Sequence, residues 1–343
     1  MGVGKAKFLI DRRLAILLNL DQFLLPMAQL GKDLRAIILA LDYGGTKHTA
    51  GIVAVGERVW LSYERISSPL GADARSDQAT MLKLARKLLA DADGRLIAVG
   101  ASFGGPVDAL TGTVKLSHHV PGWEDTPLRD QLQAEFGVPV AVGNDANVAA
   151  LGEWKFGAGQ GCPSLLYVTV STGIGSGWVL HGQIFNGADG MAGEIGHVVV
   201  RPGGAECVCG KRGCLEAEAG GPAIGRKMRE RWGAGSPEPW TGETVARAAR
   251  QGDPRAQEVM DEAARLLGAG LGGAINLMNP ERVVLGGGVT KSGERWWRLV
   301  RETARFHALP QMRVDIQPAA LGEDAPLWGA VALTETELKK AGV

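Results

Sequence analysis

Each half of the chain opens in the same way: an apolar run, a turn rich in glycine and threonine, then a second apolar run. In the first half Ile37-Ile38-Leu39-Ala40-Leu41 leads into Asp42-Tyr43-Gly44-Gly45-Thr46-Lys47 and on to Thr49–Val55. In the second, Leu165–Val170 leads into Ser171-Thr172-Gly173-Ile174-Gly175-Ser176-Gly177 and on to Trp178–Leu180. Short continuous apolar runs bounded by turn residues read as buried strands, and the pairs as hairpins. Where Gly44 and Gly45 stand, side chains would block a phosphate. Bare backbone N–H groups there, with Thr46, can cradle phosphate oxygens. Taken singly, such a turn is equally an ordinary Gly-Gly hairpin. One per half points to a duplicated fold that clamps the phosphates of a nucleotide from both sides. Asp42, at a strand end, can hold Mg²⁺ directly or through water.

A second constellation lies between Glu194 and Glu216. It holds three of the four cysteines, Cys207, Cys209 and Cys214, with His197 ten positions before the first. Three thiolates and an imidazole complete a tetrahedral set for Zn²⁺ and leave no position for an activated water, so the metal is expected to be structural. The competing reading is three buried free cysteines and an unrelated histidine, since Cys-x-Cys is less typical of zinc than Cys-x-x-Cys. Glu194 and Glu216 flank the set. A zinc-stapled loop would hold both rigidly, which suits a hydroxyl-rich ligand. The expectation is that this loop organises a site for such a ligand apart from the two glycine turns.

At 343 residues the chain is expected to hold two domains. Its 37 basic and 37 acidic residues cancel, which argues against a nucleic-acid partner. Few cysteines, three of them near one histidine, point to a reducing cytoplasm. Residues 1–35 are leucine-rich but interrupted by charge. Their longest clean apolar run, Leu14–Leu18, is too short for a membrane span, so they read as an extension, with Met27 an alternative first residue. Helices are expected over 77–92, 128–136, 148–156, 219–232, 242–250, 254–278, 295–306 and 325–340. Further strands are expected over 96–101, 138–142 and 282–285, with 314–318 an edge strand. Asp145, in Gly143-Asn144-Asp145, is either an N-cap or a general base, because ligands bind at strand C-termini in α/β sheets. Gly286-Gly287-Gly288 at a strand end admits a flat group such as adenine against bare backbone. His118-His119 reads as a loop or cleft lining rather than a second metal site.

With these motifs, residues 36–343 resemble the ROK family (repressors, open reading frames, kinases), and within it the bacterial glucokinase-like sugar kinases. The matching segments are Asp42–Lys47, Thr169–Gly175, Gly143-Asn144-Asp145, Glu194–His197, and the three cysteines followed by Leu215-Glu216. The resemblance implies the actin-like ATPase (ribonuclease H-like) fold, two α/β domains with mixed sheets around a cleft. Residues 36–148 would form the small domain, with 325–343 packing back on it. Residues 149–324 would form the large one, with the zinc loop at 194–216. It implies an ATP-dependent kinase that phosphorylates a hexose, glucose at O6, with Asp145 as catalytic base. Asn144, Glu194, His197 and Glu216 would contact sugar hydroxyls, and His197 would also serve Zn²⁺ with Cys207, Cys209 and Cys214. The nucleotide would meet Asp42 with its Mg²⁺, Gly44, Gly45, Thr46, Lys47, Thr172, Gly173 and, at the adenosine, Gly287. A cytoplasmic homo-oligomer, dimer or tetramer, without membrane or nucleic-acid partners, is implied as well. The alternatives are a kinase for N-acetylmannosamine or another hexosamine, and a sugar-sensing regulator without catalysis; Asp145 and both phosphate motifs argue against the latter. Three departures stand out. Family repressors carry a winged-helix domain before the first phosphate motif, and here residues 1–41 contain no basic recognition helix. Before Pro121-Gly122-Trp123, where glucokinases often carry Asn, stands His118-His119-Val120. Phe103-Gly104-Gly105-Pro106 replaces the commoner Gly-x-Pro-Gly-Pro.

Overall fold

The computed structural model describes residues 35–68, 71–117, 120–233 and 239–342. The extension expected over residues 1–35, apart from Arg35, lies outside them, as do His118 and His119. In the first half, β1 (Ala36–Tyr43), β2 (Lys47–Ala54) and β3 (Trp60–Ser67) form an antiparallel meander. After α1 (Ala74–Ala90), β4 (Arg95–Phe103) adds parallel to β1. A small hairpin of β5 (Val107–Asp108) and β6 (Thr113–Val114) and helix α2 (Leu128–Phe136) then lead to β7 (Val140–Asn144), parallel to β4. Helix α3 (Asp145–Phe156) follows without a break, so the domain boundary expected at 148/149 falls inside a continuous helix.

The second half repeats the plan. Strands β8 (Ser164–Val170), β9 (Ile174–Leu180) and the short β10 (Gln183–Ile184) form the meander. Next come α4 (Leu215–Ala219), α5 (Gly221–Trp232), α6 (Gly242–Arg250) and α7 (Pro254–Met278). Strand β11 (Arg282–Gly286) then joins parallel to β8. After α8 (Glu294–His307), the edge strand β12 (Asp315–Pro318) joins β11, and α9 (Ala325–Lys340) closes the chain. The sheet orders, β3-β2-β1-β4-β7 and β10-β9-β8-β11-β12, are the same pattern twice. Strand β7 runs into α3 as β12 leads to α9, and these two helices pack on each other. Their contact needs glycine on both sides. A Cβ on Gly152 would lie 2.7 Å from the Ala325 carbonyl oxygen, and one on Gly329 would overlap that of Val148. Helix α9 also packs Leu327, Trp328, Ala330 and Val331 against Ile38, Ala40, Ile97 and Ala98 of the first sheet.

Among the element boundaries that differ from expectation, three helix starts have a plain local reason. Helix α1 starts before 77 because Asp73 and Ser76 form a reciprocal capping box ahead of the apolar pattern. The helix expected over 219–232 begins at Gly221 and is preceded by the separate short helix α4, which ends at Ala219. Gly220 is extended between them, and Pro222 opens the second, a position where its missing N–H costs nothing. Helix α3 starts at Asp145 rather than Val148, because Asn144 caps it.

Candidate active site

The C-terminal ends of β1, β4 and β7 form one edge of the first sheet, and the strand register sets the candidate residues side by side. Asp42 is level with Ser102, Ser102 with Gly143, and Phe103 with Asn144 one row further on. Asn144 Oδ1 accepts the N–H groups of Ala146 and Asn147 at 3.1 and 3.2 Å. Its Nδ2 donates to the Gly105 carbonyl and to Asp145 Oδ1, both at 3.0 Å. The capping role thus falls to Asn144, whose amide also holds Asp145. Asp145 is the first helical residue, and its Oδ1 accepts the Ala146 N–H at 2.8 Å.

The first glycine turn faces this carboxylate. A Cβ on Gly104 would lie 3.3 Å from the Tyr43 carbonyl oxygen, 3.8 Å from the Gly45 nitrogen and 3.9 Å from Asp145 Oδ2, so turn and acid approach one point beside Gly104. Gly104 N–H is tied to the Tyr43 carbonyl at 3.0 Å, and Gly44 N–H closes the turn onto Lys47 O at 3.1 Å. Burial pushes the carboxyl of half-buried Asp42 up to about 7. The neighbouring Ser102 hydroxyl pulls the other way, and the charge of Asp145 adds to the rise. Two acids that oppose each other's ionisation are a donor set for a hard divalent cation. Thr46 and Lys47 are exposed at the turn, where Lys47 Nζ reaches Glu323 at 3.4 Å.

The second turn meets the same region from the other sheet. Gly175 and Gly177 of β9 let the first turn of α3 close on them: a Cβ on Gly175 would lie 3.2 Å from the Ala146 methyl, and one on Gly177 2.8 Å from Asn147 Cα. Ser171 N–H donates to Gly173 O at 2.9 Å, and Ser171 O accepts the Gly221 N–H at 2.8 Å. Thr172 is exposed at the tip. Gly287, at φ +88°, lies against the Val170 backbone beside this turn, where any Cβ would overlap the Val170 carbonyl.

The Cys/His constellation closes as its spacing implies. One ligand atom from each of His197, Cys207, Cys209 and Cys214 lies within 4.8 Å of the others. Cys207 Sγ is 3.5 Å from His197 Nδ1, and Cys209 Sγ is 3.6 Å from Cys214 Sγ. Zn–S bonds of about 2.3 Å in a tetrahedron require ligand separations near ~3.8 Å, so the donor set fits zinc. Burial pushes the Cys207 thiol up and the Cys214 thiol up to about 12, while the Lys211 N–H pulls Cys209 down. His197 turns Nδ1 to the thiols, and its Nε2 lies 3.9 Å from Glu194 Oε2.

The loop is not separate from the turns, contrary to the expectation from their distance in sequence. Glu216 Oε2 accepts the Ile174 N–H at 2.9 Å and would lie 2.6 Å from a Cβ on Gly173. Ser102 and the Ile174 N–H were not singled out from the sequence, and Gly104 only as part of a departing motif. Ser102 could have been found by aligning β4 with β1, whereas the Glu216–Ile174 contact has no local signature.

A sequence signature for the ROK family matches residues 38–337. The chain is 35% identical over 314 residues to the glucokinase of Thermotoga maritima, covering 88% of this chain and 98% of that one. It is 35% identical over 302 residues to the kanosamine kinase of Amycolatopsis mediterranei, covering 86% and 95%. Among solved structures, a ROK glucokinase from Streptomyces griseus in complex with glucose and AMPPNP superposes with a TM-score of 0.76 at 34% identity, covering 88% and 99%. The chain belongs to the ROK family, and its duplicated mixed sheets are the actin-like ATPase fold of that family's kinases.

Proposed function

We propose that this chain is an ATP-dependent hexose kinase that transfers the γ-phosphoryl group of ATP to the 6-hydroxyl of glucose. The carrying observation is that the Gly45 nitrogen and Asp145 Oδ2 both lie within 4 Å of one point beside Gly104, one group suited to a phosphate and the other to a hydroxyl proton. Phosphoryl transfer needs alignment and charge neutralisation more than covalent chemistry. Asp145 accepts the proton of the sugar hydroxyl as its oxygen bonds to the γ-phosphorus, and the bond to the departing ADP oxygen breaks. Asn144 holds Asp145 in place. Glu194, His197 through Nε2, and Glu216 hold sugar hydroxyls. Gly44, Gly45, Thr46, Lys47, Thr172 and Gly173 line the phosphates, and Gly287 the adenosine. Mg²⁺ delivered with ATP, with Asp42 as its protein ligand, would neutralise phosphate charge. Zn²⁺ on His197, Cys207, Cys209 and Cys214 would fix the loop, and no step runs through it.

Residues 36–148 with 325–343, and residues 149–324, act as two domains whose closure excludes water from the transfer. The chain works as a homo-oligomer in the cytoplasm; among the described residues no helix is long and apolar enough to cross a membrane. A hexosamine is the second reading. The kanosamine kinase is as similar in sequence as the Thermotoga glucokinase, and His118-His119 stands where glucokinases often carry Asn. A coupled assay at fixed ATP with glucose, mannose, N-acetylmannosamine and kanosamine decides. Glucose should lead in kcat/KM by at least about tenfold, a difference of about 1.4 kcal/mol in transition-state stabilisation. A leading hexosamine overturns the choice of sugar, and sugar binding without turnover overturns the kinase.

A further inference from the structure

The first glycine turn stands on a buried polar cluster that phosphoryl transfer does not itself require. Tyr43 and His48 are the cross-strand pair of β1 and β2 directly beneath the turn, and both are buried. His48 Nε2 lies 2.6 Å from Asp77 Oδ1. Asp77 sits in the first turn of α1 and is 2% exposed. Its other oxygen accepts the Trp123 Nε1–H at 3.3 Å. Trp123, fully buried, ends the segment Val120–Trp123, and the Pro121 carbonyl of that segment accepts the Ala74 N–H of α1 at 2.9 Å. The Trp123 ring packs edge-on against Phe103 at 4.9 Å and Tyr43 at 5.7 Å. Phe103 leads directly to Gly104, beside which the turn and Asp145 approach one point.

Stability does not call for such a pair. Replacing buried charged partners with apolar groups of similar volume is often neutral or stabilising. What the carboxylate adds is register. One group holding a donor on each oxygen fixes the two donors relative to each other, where apolar packing would let them slide. The donors belong to two segments that meet beside the transfer site, the glycine turn through His48 and the segment 120–123 through Trp123, whose ring packs on Phe103 next to Gly104.

We propose that Asp77 is a positioning residue that couples sugar binding to nucleotide binding, through Trp123 on one side and His48 and the Gly44–Lys47 turn on the other. The proposal rests on the assignment of the cleft to a sugar and ATP made above. The test measures the Kd of a non-hydrolysable ATP analogue by calorimetry, with and without saturating glucose. In the wild type glucose should tighten the analogue by about tenfold, within the usual range of coupling between sites. Asp77→Asn should bring that factor below about twofold, with the Kd for glucose alone and kcat at saturation near wild type. Trp123→Phe keeps the ring packing and removes only the N–H; it should lose the coupling as well. His48→Gln, which retains a donor for Asp77, should keep most of it. The proposal fails if wild type shows no coupling, or if Asp77→Asn and Trp123→Phe both keep the wild-type factor. It also fails if the variants weaken each ligand alone as much as the pair, since that is a merely structural role. If wild type binds neither glucose nor the analogue, the proposed function falls, and the coupling with it.

Discussion

The two glycine turns occupy the same place in the same topology, yet they are held by different means. The turn after β1 rests on side chains of its own half: Tyr43 and His48 beneath it, packed among Phe103, Trp123 and Asp77. The turn before β9 rests on the apolar cross-strand pair Val170 and Ile174. It is gripped from the side by Glu216, whose place is set by the cysteine loop, and by Gly221 at the start of α5. The chemistry divides along the same line. On the proposed reading the first half carries both acids of the transfer site, Asp42 and Asp145, and the second carries Glu194, His197 and Glu216 for the sugar hydroxyls. Duplication accounts for two glycine turns. On that same reading, the divergence of their supports separates proton and metal chemistry in one half from most of the sugar contacts in the other.

The strongest way to break this division is at Asp145. Asp145→Asn should fold and bind glucose nearly as wild type does while turnover falls by about 10²-fold or more, as loss of a general base does. Coupled assay and calorimetry on the same preparation check it. A variant that keeps a tenth of wild-type turnover would place the proton chemistry elsewhere.

Next in size is the support of the second turn. Purified protein should contain one zinc per chain by metal analysis, and Cys209→Ala should lose it, because the binding free energy is coupled to the order of the loop. The glucose KM should then rise about tenfold or more, as expected when a charge-assisted hydrogen bond is lost. Because Glu216 also holds the Ile174 N–H, the ATP KM should rise too, by less. Glu216→Gln, with zinc retained, should reproduce most of the sugar effect. Wild-type protein without zinc would remove the metal from this account. A Cys209→Ala enzyme with normal KM for both substrates would show that the second turn stands unaided.

How much of this was legible beforehand follows the range of the interactions. Strands at 37–41 and 165–170 and helices at 242–250, 254–278 and 325–340 announce themselves by local apolar runs and by Gly and Pro at their ends. The Cys/His set does so by spacing. The starts of α1 and α3 were missed because their caps, Asp73 with Ser76 and Asn144, are polar residues outside the apolar pattern. That Asn144 rather than Asp145 caps α3 depends on side-chain geometry, which adjacent positions do not reveal. Least legible were contacts between distant segments: Glu216 on Ile174, Gly175 on Ala146, and Asp77 between His48 and Trp123. Each needs two elements already folded, so no pattern within one stretch of chain encodes it.

The smallest effect tests what the second half uses in place of the aromatic support. Beneath the cysteine loop, Glu218 accepts the Ala205 N–H at 2.7 Å and pairs with Lys227 at 2.9 Å and Arg201 at 3.1 Å. Lys227, Arg201 and Arg231 also converge on Glu262 of α7. Burial alone would raise the Glu262 carboxyl, but hydrogen bonds from Lys227, Arg201 and Arg231 outweigh it and hold the group at about 2. Its folded value is therefore below its unfolded one, near 4.5. The stability it contributes is fully present above the unfolded value and is lost as pH falls toward 2. Between pH 6 and pH 4 that loss should be about 1 kcal/mol, or a fall in Tm of about 1–2 °C, for this one group. Glu262→Gln removes the titrating group. The variant should be less stable than wild type at pH 6, and its Tm should fall less between pH 6 and pH 4. Calorimetric melts of both proteins at pH 6, 5 and 4 give the comparison. Parallel curves would mean that the charges beneath the loop are solvated bystanders, and that zinc and apolar packing alone hold the second turn's support in place.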